Sequence, residues 1–103
     1  MSRMTNSFTP TLYQYYSAHA YREAPVLAEL RTETARATTS PDRQIGSEQG
    51  VFMGMLAHLM GAKCVLEIGT FFVCSSLHWH LAVGAHITAV DVSAAWTTTG
   101  QRF

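Results

Sequence analysis

The run Cys64, Val65, Leu66, Glu67, Ile68, closed by Gly69, constrains the fold more tightly than any other stretch of the chain. Four apolar side chains interrupted only by Glu67 predict a short buried strand, Cys64 to Ile68, that runs into a tight turn. A carboxylate in such a run is expensive to bury unless a ligand or a set of hydrogen-bond donors meets it, so Glu67 is the first candidate functional residue. Twenty-two positions after Gly69 comes Asp91, closing a second apolar run, Ile87 to Val90, and the residues Ser75 to Val83 between them suit a helix stopped by Gly84. The order strand, glycine turn, helix, strand, acid is that of a βαβ nucleotide-binding unit, in which the turn receives the ligand and the acid holds ribose hydroxyls. The multi-glycine phosphate fingerprint is missing, so no pyrophosphate cradle is expected.

At 103 residues, with 48% hydrophobic side chains, the chain has material for one small domain with an ordinary core and not for two. Seven basic residues balance seven acidic ones. That leaves no electrostatic footprint for nucleic acid or an anionic membrane, and neither is expected as a partner. Two cysteines, Cys64 and Cys74, make no disulfide framework and fit a reducing compartment. Met1 to Pro10 lacks the apolar run of a secretory signal and no stretch approaches membrane-spanning length, so a cytoplasmic location is expected.

In chain order, Met1 to Phe8 is polar and expected to fray. Thr9 and Pro10 open a helix, a capping hydroxyl followed by a proline whose missing N–H costs nothing there. Leu12, Tyr13, Tyr16 and Ala20 share one face, which is expected to cover a core or a dimer partner; an aromatic ligand cage of Tyr13, Tyr15, Tyr16 and Tyr21 is the lesser reading. Pro25 opens a second helix with Val26, Leu27 and Leu30 inward and Glu29, Glu33 and Arg36 solvated. Thr38 to Arg43 is a linker. Ser47 is expected to cap a third helix that carries Glu48 in its first turn, packs Phe52, Met55, Leu56 and Leu59 against a sheet, and ends at Gly61. His58 is expected to be partly buried. Ser75 or Ser76 is expected to cap the helix after the first strand, and Ser75, beside free backbone N–H groups, is a place to hold a ligand carboxylate or phosphate. Trp96, three threonines and Gly100 predict a loosely ordered end from Ala94 onward.

Gly61-Ala62-Lys63, the run Val65 to Phe71, Ser75-Ser76-Leu77, and Ile87 to Val92 followed by Trp96 resemble the S-adenosyl-L-methionine-dependent O-methyltransferases of the caffeoyl-CoA and catechol type. Ile45 to Gly50 resembles the lead-in to the helix before that family's first strand. The resemblance implies an α/β fold, N-terminal helices followed by the first βαβ unit of a truncated Rossmann-like sheet. It makes residues 1–103 a single incomplete methyltransferase domain, with N-terminal helices in 1–40 and a helix plus a partial cofactor-binding βαβ unit in 41–103. Ile45 (through its backbone), Glu67, Gly69, Thr70, Ser75 and Asp91 map onto positions that contact the cofactor, and no residue maps onto a catalytic one. The implied reaction passes methyl from the sulfonium to a hydroxyl of a small, catechol-like acceptor held by a divalent cation, whose carboxylate ligands belong to later strands. Helices near the N-terminus would pack across a homodimer. Activity of this chain alone is expected to be lost, and the alternative reading is a non-catalytic helical dimerisation or interaction remnant.

Two departures from the family pattern stand out. Val73 occupies the place of the turn's second glycine; in a left-handed backbone a non-glycine costs about 1–2 kcal/mol, and a β-branched side chain whose methyls project toward the ligand is a poor choice. His78-Trp79-His80 replaces small and aliphatic residues. Cys74 and His78 are spaced for a metal on one helix, but His80 lies on the opposite side, so no metal site is expected.

Overall fold

The computed structural model describes residues 7–103, so the fraying expected of Met1 to Phe8 falls, as far as Asn6, outside the described residues. Helix α1 (Pro10–His19) is followed by α2 (Pro25–Ala37), a single 3-10 turn at Pro41–Arg43, α3 (Ser47–Met60), strand β1 (Cys64–Ile68), α4 (Cys74–Val83), β2 (His86–Val90) and α5 (Ala94–Gly100). The strands form a two-stranded parallel sheet, paired in register from Cys64 with His86 to Ile68 with Val90. Architecture and class are α/β, as expected.

Thr9 caps α1 by accepting the Leu12 N–H at 3.2 Å. The helix buries none of its residues, so its apolar face covers no core. Nor do the tyrosines form a cage: Tyr16 meets Tyr21 and Phe8 edge-on, whereas Tyr15 stacks on His19. Helix α2 begins at Pro25 and sends Leu27, Leu30 and Thr34 inward. Leu27 and Leu30 join Phe71, Phe72 and Cys74 in the core, with Ile45, Leu77, Trp96 and Phe103 packed around them.

Helix α3 reverses the expected arrangement. Its buried residues are Ser47, Gly50, Gly54 and Ala57, whereas Phe52, Met55, Leu56, His58 and Leu59 are exposed. The reason is close packing against α4. A Cβ added at Gly50 would overlap the His78 ring, and one at Gly54 would come within 2.8 Å of the Ala82 Cβ. Small side chains let the two helices approach and leave the large ones pointing away. Gly46, not Ser47, is the N-cap, because the Ser47 hydroxyl is engaged by Glu23. At the other end Gly61 (φ 62°) closes the helix in the left-handed conformation.

Strand β1 is not the buried strand expected. Burial alternates along both strands, with Leu66 67% and Ile68 80% exposed on one face. The half-buried face, Val65 and Glu67 of β1 with Ile87 and Ala89 of β2, is the one covered by helices, since the first turn of α4 bonds Glu67. Among the described residues nothing covers the other face. Strand β2 starts one residue early, at His86, and α4 starts at Cys74 with Val73 as N-cap, so neither Ser75 nor Ser76 caps it.

The tail is also ordered. Residues Ala94–Gly100 form α5 despite their poor helix propensity. The Thr97, Thr98 and Thr99 hydroxyls bond carbonyls one turn back, and Trp96 packs edge-on against Phe71 with ring centroids 4.9 Å apart. Tertiary packing outweighs intrinsic preference here.

The α3–α4 seam yields a stability prediction. Gly50→Ala should cost about 1–3 kcal/mol in urea denaturation by overpacking the His78 ring. In a His78→Ala background the same substitution should cost little; equal costs in both backgrounds would show that the ring is not what the glycine accommodates.

Candidate functional site

Because the two strands are parallel, both release their chains at the same rim. The turn after β1 docks onto the end of β2: the Gly69 and Thr70 N–H groups both donate to the Val90 carbonyl, at 2.8 and 3.3 Å. Asp91, the next residue, reaches back. One of its carboxylate oxygens accepts the Phe71 N–H at 2.7 Å and the other accepts the Ser93 N–H at 3.1 Å. The Phe71 amide, seconded by that of Ser93, holds the Asp91 carboxyl below its usual range, and the group stays half-exposed.

Three residues of this turn have left-handed backbones, Gly69 (φ 84°), Phe71 (φ 55°) and Val73 (φ 57°). At Gly69 an added Cβ would meet nothing, so the backbone is approachable from outside. Phe71 is held by the Asp91 bond and by edge-on packing with Phe72 and Trp96. Val73 adopts the conformation a β-branched residue tolerates least. Its methyls, contrary to expectation, do not point into the rim; they lie against Gly100 of α5.

Glu67 meets the donors its position demands. Its carboxylate accepts hydrogen bonds from the hydroxyls of Thr70, at 3.2 Å, and of Ser75 and Ser76. Thr70 and Ser76 are themselves 2.9 Å apart. All three hydroxyl residues are buried, so the acid at the strand tip is enclosed by a small polar cluster built from the turn and the first turn of α4. Ser75 is thereby committed to Glu67.

Glu67, Gly69, Thr70, Ser75 and Asp91 therefore gather at one rim. Beside them an open groove of about 300 Å³ is lined by Ile68, Gly69, Val90, Asp91 and Val92. A larger hollow, about 470 Å³, runs along α4 to the start of β2 at His86 and contains neither Asp91 nor Gly69. The rim groove brings the Asp91 carboxylate beside the approachable Gly69 backbone and is the better candidate. Ile45 sits behind the turn, packed on the core, and its carbonyl accepts the Arg31 guanidinium at 2.7 Å.

That guanidinium belongs to a cluster the sequence did not flag. Arg31 pairs with Glu23 at 2.6 Å, and Glu23 also accepts the Ser47 hydroxyl at 2.5 Å. Burial pushes the Glu23 carboxyl up, but the Arg31 and Ser47 hydrogen bonds outweigh it and the net displacement is downward. The cluster pins the segment before α3 to α2. Eight positions apart across a helix start, the two charges carry no spacing signal, which is why neither stands out in the sequence.

Cys74 is buried, and burial pushes its thiol up to about 11, so it is no nucleophile at neutral pH. The His78 Nδ1 lies 2.8 Å from the Cys74 carbonyl and the His80 Nδ1 lies 3.1 Å from the Ala85 carbonyl. Among the described residues no three His, Cys, Asp or Glu side chains are placed to share a metal ion.

A parallel pair with its glycine turn and its acid on one carboxyl-end rim defines the opening βαβ unit of a Rossmann-like sheet. Comparison with known proteins gives the family. Residues 16–103 match the family described as O-methyltransferase. Tricin synthase 2 of Oryza sativa subsp. japonica is 32% identical over 93% of this chain and 36% of its own length. A candidate caffeoyl-CoA O-methyltransferase of Arabidopsis thaliana is 33% identical over 80% of this chain and 37% of its own. Among solved structures, the O-methyltransferase TomG from Streptomyces achromogenes, in complex with SAM, superposes with a TM-score of 0.80 at 23% identity, over 89% of this chain and 42% of its own. The chain belongs to the O-methyltransferase family, and it spans less than half the length of these relatives.

Two predictions concern the rim. Since the folded Asp91 carboxyl titrates below its unfolded value of about 3.9, its contribution is present above that value and is lost as pH falls through the folded one. Asp91→Asn should therefore flatten the acid limb of stability measured by urea midpoints, and an unchanged limb would contradict the assignment. Glu67→Ala, which leaves buried hydroxyls without their acceptor, should cost about 1–3 kcal/mol at neutral pH.

Proposed function

We propose that this chain carries the cofactor rim of an S-adenosyl-L-methionine-dependent O-methyltransferase whose acceptor is a hydroxyl of a small, catechol-like molecule. The observation that carries the reading is the placement of Asp91: a half-exposed carboxylate, beside an approachable glycine, at the end of the second parallel strand. On this reading residues 1–40 and 41–103 are parts of one incomplete methyltransferase domain, and the setting is cytoplasmic. No helix among the described residues is long and apolar enough to cross a membrane.

The residues at the rim fit the nucleoside end of such a cofactor. Asp91 retains lone pairs beyond those taken by the two amides and would accept the ribose hydroxyls. Gly69 would let the backbone approach closely. Glu67, held in place by the Thr70, Ser75 and Ser76 hydroxyls, would supply negative charge toward the cofactor's ammonium group, with the Ile45 segment behind the turn. When bound, the cofactor supplies a methyl group made electrophilic by the sulfonium. The chain's own contribution is to hold and orient it, which is the larger part of catalysing a displacement between two bound reactants. For a divalent cation the described residues offer no fitting donor set.

Isothermal titration with S-adenosyl-L-methionine tests the reading. Saturable binding is expected, weakened about tenfold to a hundredfold by Asp91→Ala, the loss of a charged hydrogen-bond acceptor. Val73→Gly, which relaxes the turn, should tighten it. Absence of saturable binding by both the natural chain and Val73→Gly would overturn the proposal.

A further inference from the structure

The βαβ unit carries its charges in one place. From Cys64 to Gln101 the chain has no lysine or arginine, and its two acids, Glu67 and Asp91, both stand at the rim. The start of α4 does feel one cation, Arg31, whose field reaches Cys74, but that half-buried guanidinium is turned to Glu23 and the Ile45 carbonyl. A ligand at the rim therefore meets two carboxylates and no basic side chain of the βαβ unit. The hydroxyl donors are spent as well. A serine hydroxyl has one proton to give, and Ser75 and Ser76 give theirs to Glu67. The Thr70 hydroxyl lies between Glu67, at 3.2 Å, and Ser76, at 2.9 Å. Thr70, Ser75 and Ser76 are only 3%, 8% and 8% exposed, so none turns outward to a ligand without opening the cluster. Ser75 and Ser76 are the second and third residues of α4, which puts the carboxylate they hold at the positive end of that helix. The place where the helix would draw a ligand's carboxylate or phosphate is filled by the chain's own acid.

We infer that, given a rim that receives the adenosine end of the cofactor, the carboxylate of the cofactor's amino acid end has no seat there, and that the rim prefers adenosine derivatives without an anionic group. The groove beside Asp91 agrees with this. Apart from that acid and the Gly69 backbone it is lined by Ile68, Val90 and Val92, the last fully exposed, which suits an uncharged ring. Its volume of about 300 Å³ is at the lower limit for a small-molecule site. The cofactor's ammonium gains from Glu67 and its carboxylate loses, so the two offset and the amino acid end adds little affinity. A phosphate in the same position has nothing to set against the repulsion.

Isothermal titration of the full chain with two compounds that share an uncharged thioether is the test: S-adenosyl-L-homocysteine, which has the amino acid end, and methylthioadenosine, which has a methyl group in its place. The dissociation constants should agree within about threefold, less than one charge-assisted hydrogen bond contributes, or favour methylthioadenosine. Adenosine monophosphate should bind at least about tenfold more weakly than methylthioadenosine, through repulsion by the two carboxylates. Ser75→Ala should leave the ratio of the two thioether constants unchanged, because the hydroxyl serves Glu67 and not the ligand; should it fail to fold, the comparison in the natural chain decides. S-adenosyl-L-homocysteine bound more than about threefold tighter, adenosine monophosphate bound as well as methylthioadenosine, or selective weakening of S-adenosyl-L-homocysteine by Ser75→Ala would each overturn the inference while leaving the cofactor reading in place. Binding of neither thioether would overturn that reading, and this inference with it.

Discussion

The hydrogen bond from the Phe71 amide to Asp91 is the constraint on which the rim depends. It joins the turn after β1 to the first residue after β2, and so fixes where both strands release their chains. Without it, Phe71 would have little reason to stay at φ 55°, a conformation that costs a non-glycine about 1–2 kcal/mol. With it, the Phe71 ring is presented to Phe72 and Trp96, and that aromatic contact draws α5 onto the core. Val73, the second strained residue, is wedged against Gly100 of the same helix. Strain in the turn and order in the last helix are thus two sides of one packing arrangement.

A second set of contacts holds the helical layer. The Thr70, Ser75 and Ser76 hydroxyls satisfy Glu67 and thereby seat α4 against β1, while the Gly50, Gly54 and Ala57 face of α3 receives the other flank of α4. The Glu23–Arg31–Ser47 cluster then ties α2 to the start of α3, with the Ile45 carbonyl as the last acceptor. Polar groups do the joining at both ends of the layer, and each half-buried carboxylate, Glu23 and Glu67, has more than one donor. That is the condition under which burying a charge is tolerable.

Much of this was legible in the sequence. The alternation of apolar runs and glycines placed both strands, the turn and the acid after β2, and Val73 in a glycine's place announced its left-handed backbone. What escaped was decided by partners. Large residues at helical spacing on α3 look like a core face, yet the stripe of small residues on the same helix packs better against α4; spacing alone does not choose between them. Ser47, Ser75 and Ser76 look like caps, but nearby carboxylates compete for their hydroxyls. Three threonines argue against a helix at α5 until Trp96 finds its aromatic neighbours. Strand β1 read as buried because its composition is that of a strand covered on both faces, and among the described residues helices meet only one.

Amide chemical shifts followed by NMR during titration with S-adenosyl-L-methionine address the central claim most directly, that one rim built by Asp91 and the Gly69 turn receives the cofactor. The account predicts shifts concentrated at Gly69, Thr70, Phe71, Asp91 and Val92, and their disappearance in Asp91→Asn. Shifts confined to the hollow between α4 and β2, around His80 and His86, or none at the rim, would contradict it.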